Sequence, residues 1–362
     1  MTLRLDQVAK VVDGVTHIHP TSLTLERGSL NVLLGPTLSG KTSLMRLMAG
    51  LDRPTDGKVF WEGSDVTGKR VQDRRVAMVY QQFINYPTLT VFENIASPLR
   101  LQGIPRREIK AKVEAAAEIV KLTPMLQRKP LELSGGQQQR TALARALVKG
   151  AELILLDEPL ANLDYKLREE LREEIPRIFK EAGAIFVYAT TEPHEALLLG
   201  GNTATLWEGR VTQFGLTPIV YRKPQDATTA SIFSDPPMNF LELAKSGGKV
   251  SFPGGLTTLA DGVFAGLADG SYRAGFRANH LRIERSSAAA LGFEAGVAIT
   301  ELTGSESFVH LDHGADRWIA LVHGARAPAV GEKIEVFVDP SHLYLFHQDG
   351  RLAATAAYAA AA

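Results

Sequence analysis

Eight consecutive residues constrain this chain most: Gly35, Pro36, Thr37, Leu38, Ser39, Gly40, Lys41 and Thr42. The apolar run Leu30–Leu34 precedes them and reads as a buried strand. Ser43–Ala49 follows and opens a helix. Strand, glycine loop, Lys-Thr and helix together satisfy the phosphate-loop pattern G-x-x-x-x-G-K-[ST]. The spacing has a chemical reason. Glycines let the backbone wrap an anion, with N–H groups pointing inward at the positive end of the helix. Lys41 is expected to reach β- and γ-phosphates, and the Thr42 hydroxyl to ligate Mg²⁺. An ordinary strand–helix turn with a surface lysine is the alternative, and the matching flanks count against it.

A chain of 362 residues is too long for one ordinary core, so two or three domains are expected. Lys+Arg 40 balances Asp+Glu 40. That leaves no global basic field to hold nucleic acid. With no cysteine, disulfides and thiolate metal sites are excluded. Met1–Asp6 alternates apolar and charged residues, unlike the apolar core of a signal peptide. No apolar run is long enough to span a bilayer, so a membrane role would come through a partner.

Leu3, Leu5 and Val8 alternate, as do Leu23 and Leu25, predicting two antiparallel strands before the loop. Further strands are expected at Gly57–Gly63, Val76–Tyr80, Leu153–Leu156 and Ala184–Tyr188. Helical periodicity covers Arg106–Lys121, Gln137–Val148 and Arg168–Phe179. Buried strands alternating with helices predict a mainly parallel sheet covered on both faces. The texture changes near Ser234–Asp235–Pro236–Pro237. Beyond it, short strands are expected at Lys249–Ser251, Leu281–Glu284, Ser307–Leu311, Trp318–Val322 and Lys333–Val338, a small all-β unit. The alanine-rich tail, 353–362, has no evident apolar partner face and is expected to fray.

Asp157–Glu158 ends the Leu153–Leu156 strand, where a phosphate-loop protein needs its second carboxylate site. Asp157 would hold the Mg²⁺ shell and Glu158 would polarise the attacking water. Such a pair can also cap a helix. Ser134, likewise, could simply N-cap the helix that follows it.

Leu133, Ser134, Gly135, Gly136 and Gln137, taken with the phosphate loop and Asp157–Glu158, resemble the signature of ATP-binding cassette (ABC) ATPases. The resemblance runs from Leu3 to about Phe233. It implies an α/β phosphate-loop nucleotide-binding domain over residues 1–235. An all-β, OB-like (TOBE-type) regulatory domain would follow over 236–352. In that family two cassettes pack head to tail. Each ATP lies between one chain's phosphate loop and the other's signature helix, whose N-terminus suits a γ-phosphate. By this resemblance, Gly35 through Ser43 bind ATP together with Val12 and Thr191, Glu158 and Gln81 are catalytic, and Thr42, Gln81 and Asp157 hold Mg²⁺. Leu133–Gln137 and Asp164 are lent to the opposite site. Gln81 also faces the coupling helix of the membrane domain.

Tyr86–Val91 and Glu93–Asn94 look like the corresponding stretch of sugar-importer ATPases. Pro237–Phe240, Gly275–Leu281 and Gly304–Glu306 look like the regulatory segment of maltose-importer subunits. Phe233–Asn239 looks most like glycerol and glycerol-phosphate importer subunits. The implied setting is the cytoplasmic face of the inner membrane, with two permease subunits and a periplasmic or lipoprotein solute-binding protein. Nucleic acid is not an expected partner, because neutral charge and sparse aromatics argue against an oligonucleotide-binding barrel.

Three positions depart from the family. Leu38 stands where the importers carry a further glycine. Val12 stands where an aromatic stacks on adenine, and no Phe, Tyr or Trp precedes Phe60. Thr191 stands where a histidine contacts the γ-phosphate, with His194 one helical turn away. These departures lie on the phosphate-loop side, whereas the signature is intact. A second, non-identical cassette subunit is therefore expected. The alternative is a largely non-hydrolysing cassette that supplies its signature to an active partner. A soluble ABC ATPase of DNA repair or translation would need tandem cassettes or a coiled-coil insertion, and this sequence shows neither. His17 and His19 alternate, which places them on a strand face rather than in a metal site.

Overall fold

The computed structural model describes residues 2–82, 84–161, 165–304, 306–324 and 328–360. Two compact units divide it, Met1–Thr217 and Pro218–Ala362. The composition change at Asp235 falls inside the second of these.

In the first unit, β1 (Thr2–Val12) and β2 (Val15–Glu26) form the antiparallel pair that alternation predicts. Leu3 lies opposite Leu25 and Leu5 opposite Leu23, all buried. β4 (Asp56–Trp61) and β5 (Ser64–Asp65) complete a sheet ordered β2-β1-β4-β5. The second sheet contains β3 (Leu30–Leu34), β6 (Val76–Val79), β7 (Leu153–Asp157), β8 (Ile185–Thr190), β9 (Asn202–Trp207) and β10 (Arg210–Leu216). Its order is β10-β9-β3-β8-β7-β6, parallel from β6 to β9 with β10 antiparallel at the edge. Such strands are covered on both faces, hence their continuous apolar runs. Between the sheets, α1 (Lys41–Ala49) buries Leu44, Met45, Leu47 and Met48 in a core shared with Leu5, Leu33, Leu155 and Val187.

The remaining helices are α2 (Val91–Leu101), α3 (Arg106–Ile119), α4 (Gly135–Val148), α5 (Tyr165–Ala182) and α6 (Pro193–Leu199). Capping boxes start two of them, Thr90 with Glu93 for α2 and Ser134 with Gln137 for α4. Each satisfies helix-end donors that would otherwise stay unpaired. One strand, β8, separates β3 from β7, so the phosphate loop and Asp157 emerge at the same end of the parallel strands. Ligands of open α/β sheets bind at that end.

The second unit holds the short helices α7 (Thr217–Arg222) and α8 (Ala227–Ile232) and two antiparallel sheets. One sheet has six strands, spanning Asn239–Ser246, Lys249–Ser251, Thr257–Leu259, Gly270–Phe276, Tyr344–His347 and Leu352–Ala354. The other has five, spanning Leu281–Arg282, Leu291–Leu302, Glu306–His313, Asp316–His323 and Lys333–Val338. A single core joins them, with Leu243, Phe276, Phe293, Leu311 and Trp318 from both. The strand expected at Leu281–Glu284 ends at Arg282.

The tail does not fray over its described length. Leu352–Ala354 pairs with Tyr344–His347, and Ala356 is fully buried beside Tyr344 and Phe346. The Tyr358 hydroxyl lies 3.0 Å from that of Tyr344, and its ring packs edge-on to His280. Alanine is small enough to fit under the aromatic rings, and Tyr358 provides the anchor.

Candidate functional site

The phosphate loop is fixed from below by its glycines. The Gly35 N–H donates to the Thr190 carbonyl at 3.3 Å, and a Cβ at Gly35 would sit 2.3 Å from the Leu206 carbonyl oxygen. Gly40 has φ 102°, and a Cβ there would meet Ile18 Cδ1 at 2.9 Å. The Gly209 N–H donates to the Ser39 carbonyl at 2.9 Å, tying the loop to the β9–β10 turn. Leu38 also sits in left-handed backbone, φ 67°, with its side chain 96% exposed. That conformation normally favours glycine.

Lys41, only 5% exposed, donates from Nζ to the Gly35 and Pro36 carbonyls at 2.8 and 2.9 Å. Its ammonium also lies 3.4 Å from Glu158 Oε1. Burial pushes the Lys41 ammonium below its usual range, while Glu158 opposes the shift. Thr42 Oγ1 donates to both Asp157 oxygens, at 3.1 and 2.9 Å. Burial pushes the Asp157 carboxyl up, and the Thr42 hydroxyl pulls it back. Gln81 Nε2 donates to Glu158 Oε2 at 3.3 Å. Both carboxylates face the phosphate loop, so the helix-capping alternative does not describe them.

A cleft of about 540 Å³ opens over these groups. Thr37, Leu38, Gly40, Lys41, Thr42 and Ser43 line one side, with Gln81, Asp157 and Glu158 facing them. Gly35, Pro36 and Ser39 do not line the cleft. Val12 does not line it. This residue ends β1 opposite Val15, and Val15 is the one that reaches the cleft. Thr191 is exposed just past β8 and is not in the lining either. Next to it, Glu192 is held by Arg168 at 2.9 Å and Arg172 at 2.6 Å. Buried Glu195 accepts from Tyr188, Thr190 and Arg172 and braces the same segment. His194 is exposed on α6.

The signature residues stand apart from this cleft. Leu133 is buried, and Ser134 Oγ accepts from the Gln137 N–H at 3.4 Å. A Cβ at Gly135 would meet nothing within 4 Å, so the start of α4 is open. Gly136 is buried in the first turn. None of the five lines the chain's own phosphate cleft. Asp164 lies outside the described residues.

The sequence reading missed the cleft's other wall, formed by Val15, Thr16 and His17 with Glu208 and Gly209 of the β9–β10 turn. The Glu208–Gly209 turn pair was the one local signal available. A second cleft, about 620 Å³, lies among β6, α2 and α4, with Tyr80, Ile84, Tyr86, Leu101 and Arg145 on its walls.

The donor set near Thr42 suits a hard cation. One hydroxyl and one carboxylate converge there, and Mg²⁺ binds through one or two carboxylates plus phosphate oxygens and water. No group of three His, Cys, Asp or Glu residues that could hold a metal occurs among the described residues. No described helix is long and apolar enough to cross a membrane.

The ABC transporter family profile matches residues 18–161, and the TOBE domain profile matches residues 274–346. The sn-glycerol-3-phosphate import ATP-binding protein of Yersinia enterocolitica is 34% identical over 97% of this chain and 98% of its own length. The trehalose/maltose import ATP-binding protein of Thermococcus litoralis is 35% identical over 95% of this chain and 97% of its own. A dimeric bacterial ABC transporter cassette superposes with a TM-score of 0.54 at 26% identity, covering 59% of this chain and 98% of that one. The post-hydrolysis state of such a cassette, bound to ADP and Pi, gives 0.53 at 27% identity over the same shares. This chain, with its phosphate loop facing two strand-end carboxylates, its capped signature helix and its C-terminal β unit, is thus matched over nearly its whole length by import ATP-binding proteins. The chain belongs to the ABC transporter family of ATPases, in the group whose cassette is followed by a TOBE domain.

Proposed function

We propose that this chain is the ATP-hydrolysing subunit of an importer for a sugar or polyol, with glycerol the leading candidate. The observation that carries the reading is the convergence of Lys41, Thr42, Gln81, Asp157 and Glu158 on one cleft. Lys41 rests on loop carbonyls and on Glu158, contacts it can exchange for β- and γ-phosphate oxygens, which bind an ammonium strongly. Glu158 is then released to polarise water, with Gln81 positioned beside it. Mg²⁺, held by Thr42, Asp157 and Gln81, would neutralise phosphate charge. The printed names of the relatives and the Phe233–Asn239 stretch favour a small polyhydroxyl solute. The solute itself is selected by permease and binding-protein subunits.

Two permease subunits dock on the cassettes at the cytoplasmic face of the inner membrane. The cleft at Tyr80, Ile84 and Leu101, with Ile84 and Leu101 exposed, offers an apolar seat for a permease helix. A periplasmic or lipoprotein binding protein delivers the solute. The second cassette is a different chain, carrying its own base-stacking aromatic and γ-phosphate histidine. Val12 and Thr191 here lie outside the phosphate cleft, which supports that asymmetry and keeps the non-hydrolysing alternative specific.

The test is ATP hydrolysis and solute uptake by the co-expressed transporter. Arginine at Ser134 or Gly136 should lower activity more than Glu158→Gln does. Equal losses would leave two equivalent sites. Full-rate hydrolysis by a transporter holding this cassette alone would overturn the two-cassette proposal. If Glu158→Gln has no effect at all, the chain is the non-hydrolysing partner.

A further inference from the structure

The phosphate end of the cleft is furnished with charge, but a nucleoside triphosphate also has a base to place. The opposite wall is Val15, Thr16 and His17, with Glu208 and Gly209 beside them. Among the described lining residues there is no Phe, Tyr or Trp. The one flat ring among the described lining residues is the His17 imidazole.

Backbone geometry sets His17 apart. Lys10 pairs with Ile18 and Val11 with Thr16, so His17 is the extra residue of a bulge between β1 and β2. Bulges re-aim a side chain and leave its residue unpaired. The strand is held where it bulges. A Cβ at Gly209 would lie 2.4 Å from the His17 carbonyl oxygen, and one at Gly40 would lie 3.3 Å from it. Glycine at both positions lets β2, the β9–β10 turn and the phosphate loop interlock. The main chain of His17 is thus anchored to the loop that grips phosphate. Its ring is exposed, lines the cleft and makes no hydrogen bond or ion pair among the described residues.

We infer that His17 is the base-positioning residue of this cassette, its imidazole stacking on the purine of the bound nucleotide. This rests on the nucleotide-binding reading above. A base offers a π-face to any planar partner, and stacking is tolerant of which ring supplies it. Imidazole is smaller than indole or phenol, so the base is held less firmly. The carboxylate of Glu208, on the same wall, provides an acceptor for nucleoside hydroxyl or amino hydrogens.

Binding of ATP and of inorganic tripolyphosphate to the full-length chain, each by calorimetry, tests the inference. His17→Ala should weaken ATP about tenfold, in line with the loss of one stacked base. It should leave tripolyphosphate unchanged, which also reports that the phosphate loop is still folded. His17→Phe should recover ATP affinity. Equal ATP affinity in the unmodified chain and in His17→Ala would overturn the inference alone. An unmodified chain that binds neither ligand would overturn the nucleotide reading and this inference with it.

Discussion

At the phosphate cleft of Met1–Thr217, charged and polar side chains satisfy one another, whereas at the core of Pro218–Ala362 aromatic rings pack together. Lys41, Thr42, Asp157 and Glu158 are paired internally. Each of those pairs can be exchanged for a ligand of suitable charge. Trp318 is fully buried, donates its N–H to the Phe240 carbonyl at 2.8 Å, and packs at 5.3 Å from Phe276 and 4.2 Å from His313. None of those contacts has an alternative partner to gain. The first arrangement is built to respond to a ligand, and the second to hold its shape.

The largest effect expected from that contrast is on Trp318→Ala. It removes a large buried side chain and leaves the Phe240 carbonyl unpaired, costing about 3–5 kcal/mol. Urea denaturation should show an early transition for the β unit while nucleotide affinity is unchanged. A parallel loss of nucleotide affinity would break the comparison. Lys41→Ala makes the converse test. Hydrolysis at this chain's own phosphate loop should fall about a hundredfold or more, as expected when a positioned donor to developing charge is lost. The melting temperature should hardly move, because the ammonium is desolvated at some cost in the folded state.

A subtler test uses acid. Within the β unit, His280 stacks on His342 with ring centroids 4.0 Å apart, and its titration is pushed down to about 3. Burial is the main cause, with His342, Arg277 and Arg282 adding to it. His342 is also lowered by burial, against the pull of Asp339. Below pH about 6.5 the unfolded chain takes up a proton at His280 that the folded chain refuses until about 3. Stability should therefore fall with pH across that window, by about 1.4 kcal/mol per unit for one proton. Urea midpoints at pH 7.5 and 5 measure this, and His280→Gln should flatten the slope. A slope that survives the substitution unchanged would place the sensitivity elsewhere. The smallest effect is expected from Leu38→Gly. Glycine relieves the left-handed backbone at φ 67°, partly offset by its freedom in the unfolded chain. A gain of no more than about 1 kcal/mol should appear in the cassette transition.

The phosphate loop could be read from sequence because each of its requirements is local: backbone room, one ammonium and one hydroxyl at fixed spacing. Thr42 and Asp157 are separated by 115 positions, yet each could be placed, Thr42 by its fixed spacing in the loop pattern and Asp157 by lying at the end of an apolar strand. The β9–β10 hairpin was not legible. Its threonines bond one another, Thr205 to Thr212 at 2.8 Å, so the interior carries polar letters that mask the alternation. His17 was assigned to a strand face, but alternation alone could not reveal the bulge that gives it the cleft. The docked tail was missed for a related reason. An alanine run has no periodicity to detect, and the partner surface of Ala356 and Tyr358 is assembled from residues distant in sequence.

The segment that carries Gln81 has a second attachment. Asn85 donates its amide to the Gln138 carbonyl at 2.9 Å, and Arg145 reaches the Ile84 carbonyl while its guanidinium lies 5.4 Å from the centre of the Tyr86 ring. Gln138 is in the first turn of α4, two residues after Gly136. Gln81 and Asn85 are thus tied to different parts of the unit, Gln81 to Glu158 and Asn85 to the start of α4. In a two-cassette transporter, chemistry at Glu158 and a neighbour's nucleotide at the start of α4 would therefore bear on residues only four positions apart in the chain.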